Sequence, residues 1–130
     1  MADLLVVDDD RDTAGVLADL MRDGGHDVRV AYDGKEGLRL ARARLPDLAL
    51  IDVQMPVLGG PSMVYGMIIS DMGLESVPII FMSGLPNIAD IAAEVGTPYY
   101  LHKPFALDQV EALVERALKE PKPPHASQRT

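Results

Sequence analysis

The sequence predicts an α/β protein of five βα units whose strands form one parallel sheet. Four short apolar runs, at residues 4–7, 48–51, 78–82 and 99–102, are typical of strands that are buried on both faces. Between these runs, apolar residues recur at helical spacing. Carboxylate, hydroxyl or amine side chains follow the runs, and open parallel sheets bind ligands at the carboxyl ends of their strands. The sequence therefore predicts both a fold class and the edge at which its site lies.

The first two units contain strands at residues 4–7 and 27–31. A helix is expected over about residues 11–23, capped by Asp10 and ended by Gly24-Gly25. The second helix begins after Asp33, which has the capping-box spacing to Glu36, and Pro46 closes it. The expected apolar faces consist of Ala14, Leu17, Leu20 and Met21 in the first helix, and of Leu38, Ala41 and Leu45 in the second.

The remaining units begin with the strand that ends at Asp52. Pro61 suits the first turn of a third helix, which is expected to reach about Met72. The fourth strand ends at Ser83, a short helix follows over residues 88–95, and a fifth strand precedes a last helix over about residues 107–119. The stripe of that last helix comprises Leu107, Val110, Leu113, Val114, Ala117 and Leu118. We expect a flavodoxin-like three-layer fold with strand order 2-1-3-4-5, although periodicity alone does not fix the order.

Length and composition indicate one domain, at residues 1–119, followed by a Pro-rich segment at residues 120–130 that is expected to be a flexible tail or the start of a linker. The chain has no cysteine, which excludes disulfides and thiolate metal sites. It also has no apolar run of membrane-spanning length and no secretory signal, so a cytoplasmic address without membrane contact is expected. A net charge of −8 disfavours direct binding of nucleic acid.

Three carboxylates are expected to converge at the carboxyl edge of the sheet. Asp8 and Asp9 follow the first strand and Asp52 ends the third, so their charges would repel one another unless a cation lay between them. Mg²⁺ binds such carboxylates and completes its coordination with water and phosphate oxygens. Lys103 and Ser83 suit the oxygens of a transferring phosphoryl group. No P-loop motif occurs, so nucleotide is not the expected ligand. A carboxylate can itself be the nucleophile and form an acyl phosphate, and Asp52, alone at its strand end, is the best candidate.

Five short motifs in this order resemble the receiver domain of two-component response regulators, over about residues 3–118. They are Val6-Val7-Asp8-Asp9-Asp10, Asp52-Val53-Gln54-Met55-Pro56, Gly60, Ser83-Gly84 and Lys103-Pro104-Phe105. Each motif is weak by itself, but the ordered set on one βα frame is specific. The chain departs from the family at Gly59, where Asp is common, and at Leu85-Pro86, where many members are polar.

The resemblance implies that Asp52 accepts a phosphoryl group from a phosphohistidine of a sensor histidine kinase or phosphotransfer protein. It implies that Mg²⁺ (or Mn²⁺) is bound by Asp9, Asp52 and the backbone carbonyl of Gln54, with Asp8 acting through water. Ser83 would be the switch hydroxyl, Tyr100 the aromatic side chain that turns inward on activation, and the Lys103-Pro104 peptide bond would be cis. Such a domain is a phosphoacceptor that assists its own phosphotransfer and dephosphorylation, not an independent enzyme.

The expected partner surface lies on the last two βα units. It would bind a downstream effector protein or domain, and dimerisation through it is left open. The residues assigned to this surface are Ile88, Ala92, Tyr100, His102 and Asp108.

Two other functions fit parts of the pattern. A Mg²⁺-dependent phosphatase with an aspartate nucleophile would use similar chemistry, but it would carry Asp-x-Asp-x-Thr/Val, which neither Asp8 nor Asp52 begins. A receiver-shaped binding module that is not regulated by phosphate would need none of the acids, although here the acid set is intact.

Overall fold

The computed structural model describes residues 2–69 and 73–124, and within them five strands alternate with five α-helices. One turn of 3₁₀ helix, Leu74–Ser76, precedes the fourth strand. The elements are β1 (Asp3–Val7), α1 (Arg11–Asp23), β2 (Asp27–Ala31), α2 (Gly34–Ala43), β3 (Leu48–Asp52), α3 (Gly60–Ile68), β4 (Ile79–Ser83), α4 (Ile88–Val95), β5 (Tyr99–His102) and α5 (Leu107–Lys119).

The strands form one parallel sheet in the order β2-β1-β3-β4-β5, which confirms the expected topology. Val7 lies opposite Ala31 on one side and Ile51 on the other. Ser83 at the end of β4 lies opposite His102 at the end of β5. Because all strands run in the same direction, the residues that follow their carboxyl ends lie along one edge.

Apolar side chains fill both faces of the sheet. Successive residues of a strand point to opposite faces, so each central strand contributes to two separate layers of core. One layer packs β1, β3 and β4 against α1 and α5; its buried strand residues include Leu4, Val6, Leu50, Ile80 and Met82. The other packs the same strands against α2, α3 and α4; its buried strand residues include Leu5, Val7, Ile51, Ile79 and Phe81.

The predicted helix starts are confirmed, with one correction. The Asp10 carboxylate accepts the N–H groups of Asp12 and Thr13 at the start of α1. Asp33 accepts the N–H of Glu36 at 2.8 Å, but the Glu36 carboxylate binds the Arg39 guanidinium one turn further along. The capping box at α2 is therefore half formed.

Two residues assigned to buried helix faces are exposed. Leu45 lies beyond the end of α2 and is about half exposed, because the residue before a proline is disfavoured in helical conformation and Pro46 follows. Leu107 is the first residue of α5 and is also exposed, since its position precedes the turn that packs on the sheet.

Two expectations from the sequence fall partly outside the described residues. Helix α3 ends at Ile68, and Met72, to which it was expected to extend, lies outside the described residues. Residues 121–124 have neither helix nor strand, and 125–130 lie outside the description, so the boundary at residue 119 stays a prediction. Within the described part, no helix has the length and apolar character needed to cross a membrane.

Candidate functional site

Three carboxylates meet at the carboxyl edge of the sheet. Asp8 follows β1, Asp9 is the next residue, and Asp52 ends β3. One oxygen from each lies within 4.8 Å of the others. Asp8 and Asp52 are buried, whereas Asp9 is exposed. An all-oxygen donor set of this kind, open on one side, fits a hard dication such as Mg²⁺.

The Lys103 ammonium reaches the same carboxylates from the end of β5. Its Nζ lies 2.9 Å from Asp8 Oδ2 and 3.6 Å from Asp52 Oδ2. The Lys103 backbone N–H donates to the Ser83 carbonyl at 2.8 Å, which continues the pairing of β4 and β5 up to the site. The Lys103-Pro104 peptide bond is cis, as expected. The lysine that the sequence assigned to this site is therefore in contact with two of its acids.

The acids retain unbalanced negative charge despite Lys103. Burial raises the pKa of Asp52 from its ordinary 3.8 to about 7, and the neighbouring Asp8 charge adds to this effect. Burial would by itself lower the pKa of Lys103, but its hydrogen bond to Asp8 and the charge of Asp52 raise it overall. One ammonium thus does not compensate three carboxylates, and a bound dication would remove the remaining repulsion.

Asp8 accepts one hydrogen bond on each carboxylate oxygen. Its Oδ1 accepts the Asp10 backbone N–H at 3.0 Å, and its Oδ2 accepts Lys103. Asp8 therefore fixes the position of Lys103 and of the loop that carries Asp9.

The loop after β3 passes very close to Asp52. The Gly60 backbone N–H donates to the Val53 carbonyl at 2.9 Å. A Cβ atom at Gly60 would lie 2.4 Å from the backbone oxygen of Asp52, a distance that no side chain tolerates. The glycine quoted in the sequence motif is thus required by this close approach.

The two residues assigned to a switch lie in different environments. Ser83 is buried, and its Oγ accepts the Leu85 N–H at 3.0 Å. Tyr100 is 42% exposed on the outer side of β5, together with His102. The Gln54 side chain is exposed, and the role assigned to its backbone carbonyl stays a prediction.

Part of the expected partner surface was assigned wrongly. Ile88 and Ala92 are buried in the core against the sheet, because they lie on the inner face of α4. Tyr100, His102 and Asp108 are exposed, so they are the members of that set available to a partner.

An apolar depression beside Lys103 was missed in the sequence. It has a volume of about 500 Å³. Val16 and Leu107 are large apolar residues exposed at this place. Val16 falls outside the apolar face of α1, and that misplaced apolar residue was the signal available in the sequence. The lining residues are Asp12, Thr13, Val16, Lys103, Pro104, Phe105 and Leu107.

The fold and the site together place this chain in the class of single-sheet α/β domains with an acidic pocket at the carboxyl edge of the sheet. Within that class, the family model of the response regulator receiver domain matches residues 4–115. The chain belongs to this family.

Individual relatives agree with this assignment. Transcriptional regulatory protein PrrA of Mycobacterium bovis is 38% identical over 118 residues, which cover 89% of this chain and 49% of the relative. The chain thus spans about half the length of the curated relatives it matches. The receiver domain of Francisella response regulator 1452 is 31% identical with a TM-score of 0.81, covering 94% of this chain and all of the other.

A further solved structure bears on the metal. The receiver domain of sensor histidine kinase PA1611 from Pseudomonas aeruginosa is 26% identical with a TM-score of 0.81, covering 91% of this chain and 98% of the other. That protein holds a magnesium ion coordinated in its active site cleft.

Proposed function

We propose that this domain receives a phosphoryl group on Asp52 from a phosphohistidine of a sensor kinase or phosphotransfer protein. The observation that carries the proposal is the convergence of Asp8, Asp9 and Asp52 within 4.8 Å, with the Lys103 ammonium 3.6 Å from Asp52. The family membership and the intact acid set both support it.

The transfer itself needs few protein groups. An Asp52 carboxylate oxygen forms a bond to phosphorus while the bond from phosphorus to the donor imidazole nitrogen breaks. The imidazole leaves with the electron pair and takes up a proton from solvent. Lys103 lies where it can neutralise charge on the phosphoryl oxygens, which is the main contribution that proteins make to phosphoryl transfer.

Mg²⁺ fits the donor set and would be held by Asp9 and Asp52, with the Gln54 carbonyl as a third ligand. When bound, it supplies positive charge for the phosphoryl oxygens. The two hydrogen bonds to Asp8 favour an indirect role for that carboxylate, through water. Domains of this kind assist their own phosphorylation and dephosphorylation and have no separate substrate to turn over.

Phosphorylation is proposed to shift a pre-existing equilibrium between two arrangements of the β4–α4 loop. The Ser83 hydroxyl donates to a phosphoryl oxygen. The β4–α4 loop, whose Leu85 N–H donates to Ser83 Oγ in this structure, moves together with Ser83. Tyr100, exposed in this structure, then turns inward. The surface around Tyr100, His102 and Asp108 would thereby change for an effector or a second copy.

The donor protein is proposed to dock on the apolar depression next to Lys103. Val16 and Leu107 are exposed there, and the depression shares Lys103 with the acidic pocket. A donor helix that covers these residues would place its phosphohistidine beside Asp52.

The proposal is tested by incubating the protein with acetyl phosphate and Mg²⁺ and measuring the intact mass. We expect a gain of one phosphate that is lost in Asp52→Asn and retained in Asp19→Asn, a matched change on the exposed face of α1. Absence of an adduct in the wild-type protein, or an adduct that persists in Asp52→Asn, would contradict it. Steady release of phosphate from sugar phosphates would instead support a phosphatase.

A further inference from the structure

We infer that α2 and the β3–α3 loop form a second docking surface, which binds an acidic segment with an apolar anchor from a partner protein. The surface consists of the groove between Lys35, Arg39 and Arg42 on α2 and Leu58 in the loop, together with Val57, the residue before Leu58. Its lining residues are shared neither with the acidic pocket nor with the surface around Tyr100.

Helix α2 has the opposite charge to the rest of the molecule. It carries three basic side chains and one acidic one, whereas the net charge of the protein is −8. Helices α1, α4 and α5 each carry more acidic than basic residues, and α3 carries no charge. Lys35, Arg39 and Arg42 are spaced to share one helix face, and all three are exposed. A basic face on an acidic protein steers acidic partners to that face.

An apolar groove runs beneath this basic face. It has a volume of about 410 Å³, and its apolar wall is formed by Leu38 and Leu58, both partly exposed. Lys35, Arg39 and Arg42 line its other sides, with Asp33 and Glu36 near the start of the helix. Glu36 pairs with the Arg39 guanidinium at 2.7 Å, so the rim carries one more positive than negative side chain. An apolar floor with a basic rim fits an acidic segment that presents one or two apolar side chains.

The groove is held in shape by a close contact between the loop and the helix. The Gly34 N–H at the start of α2 donates to the Leu58 carbonyl at 3.1 Å. A Cβ atom at Gly34 would lie 2.1 Å from that oxygen, so only glycine allows this approach. The loop and helix therefore present their side chains on one continuous surface.

Val57, the residue before Leu58 in the loop, is strained and exposed. Its φ is +71°, and the Leu58 N–H donates across it to the Pro56 carbonyl at 2.7 Å, which makes a γ-turn of the strained type. A β-branched residue rarely adopts this conformation, and the Val57 side chain is 76% exposed. The exposed Val57 side chain therefore adds apolar surface next to Leu58 that a partner can cover.

The probe is a 16-residue amphipathic helical peptide with glutamates on one face and leucines on the other, compared with the same peptide carrying glutamine for glutamate. Amide chemical shifts of the full chain are followed during titration, and the dissociation constant is measured by fluorescence anisotropy. We expect the glutamate peptide to shift α2 and residues 56–59. The double variant Lys35→Gln/Arg39→Gln should weaken binding by about fivefold, as expected for two partly exposed ion pairs.

Two controls make the result specific. Lys119→Gln/Lys122→Gln changes the net charge equally on another surface and should leave binding unchanged. Val57→Asn removes the apolar side chain but tolerates positive φ, so it should weaken binding in a folded protein. Phosphorylation of Asp52 by acetyl phosphate should be unaffected by Lys35→Gln/Arg39→Gln, so this inference and the proposed function fail separately.

Several outcomes would overturn the inference. One is the absence of any shift of α2 at about 1 mM peptide. The others are equal binding of the glutamine peptide and equal weakening by the Lys119→Gln/Lys122→Gln control. Self-association in sedimentation velocity that Lys35→Gln/Arg39→Gln abolishes would identify a second copy of the chain as the occupant, and would also overturn it.

Discussion

Asp52→Asn is expected to make the metal-free protein more stable, although it removes the proposed phosphoacceptor. In the folded protein the Asp52 carboxylate is buried near Asp8, and its pKa is raised from 3.8 to about 7. At about 1.4 kcal/mol per pKa unit, ionising this group in the fold costs at most about 4 kcal/mol. Asparagine has nearly the same shape and no charge. We therefore expect Asp52→Asn to raise the free energy of unfolding by about 1–4 kcal/mol at pH 8 without metal.

The sign of the pH dependence follows from the same shift. Between about pH 4 and 7 the folded protein keeps the Asp52 proton that the unfolded chain has lost, so the folded state binds more protons. The contribution of Asp52 to stability is thus fully present below about pH 4 and is lost as the pH rises to about 7. The advantage of Asp52→Asn over the wild-type protein should accordingly shrink from pH 8 to pH 5.

Urea unfolding followed by far-UV circular dichroism measures these differences, in EDTA and in Mg²⁺. Mg²⁺ should stabilise the wild-type protein more than Asp52→Asn. A ligand that binds only the folded state stabilises that state, and the asparagine lacks the charge that would help to hold the metal. Asp19→Asn, which changes the charge equally on an exposed helix face, serves as the control. If Asp52→Asn proves no more stable than wild type at pH 8 in EDTA, or if its advantage does not vary with pH, the raised pKa of Asp52 is refuted.

Three further predictions concern the loops around the site, each measured by urea or thermal unfolding. Gly60→Ala should cost about 1–3 kcal/mol, because the new Cβ meets the Asp52 backbone oxygen at 2.4 Å; a neutral result would show that the loop moves away freely. Asp33→Ala should cost about 1 kcal/mol by removing the cap on the Glu36 N–H, and an unchanged midpoint would contradict the capping role. Val57→Asn should instead stabilise the protein by about 1 kcal/mol through relief of strain, whereas a loss of stability would show that the valine side chain packs within the chain.

The most accurate sequence inferences rest on local patterns with one physical meaning. Apolar runs at residues 4–7, 48–51 and 78–82 are buried strands, since they are too short for helices and a parallel strand covered on both faces buries every consecutive side chain. The acids and the lysine follow those strands, and a parallel sheet brings strand ends to one edge. Asp8, Asp52 and Lys103 therefore meet in contact, as the sequence predicted.

The sequence predictions that proved wrong are those in which two sequence signals compete, or in which the outcome depends on contacts between residues far apart in the chain. Leu45 fitted the apolar period of α2, but the proline after it ended the helix earlier. Ile88 and Ala92 were assigned to a surface from their place in the chain, and the angle at which α4 packs on the sheet turns them inward. No periodicity indicates the positive φ of Val57, because that conformation is imposed by the path of the β3–α3 loop.

The five βα units, their parallel sheet and the acidic, amine and hydroxyl side chains at one edge follow from hydrophobic period and chain direction, so they could be predicted from the sequence alone. The charge balance of the pocket depends on the 2.9 Å and 3.6 Å contacts of Lys103 and is visible only in the folded protein. The same is true of the apolar residues that remain exposed beside Lys103 and α2. Such distances and exposures result from how elements far apart in the chain pack together, and no local pattern encodes them.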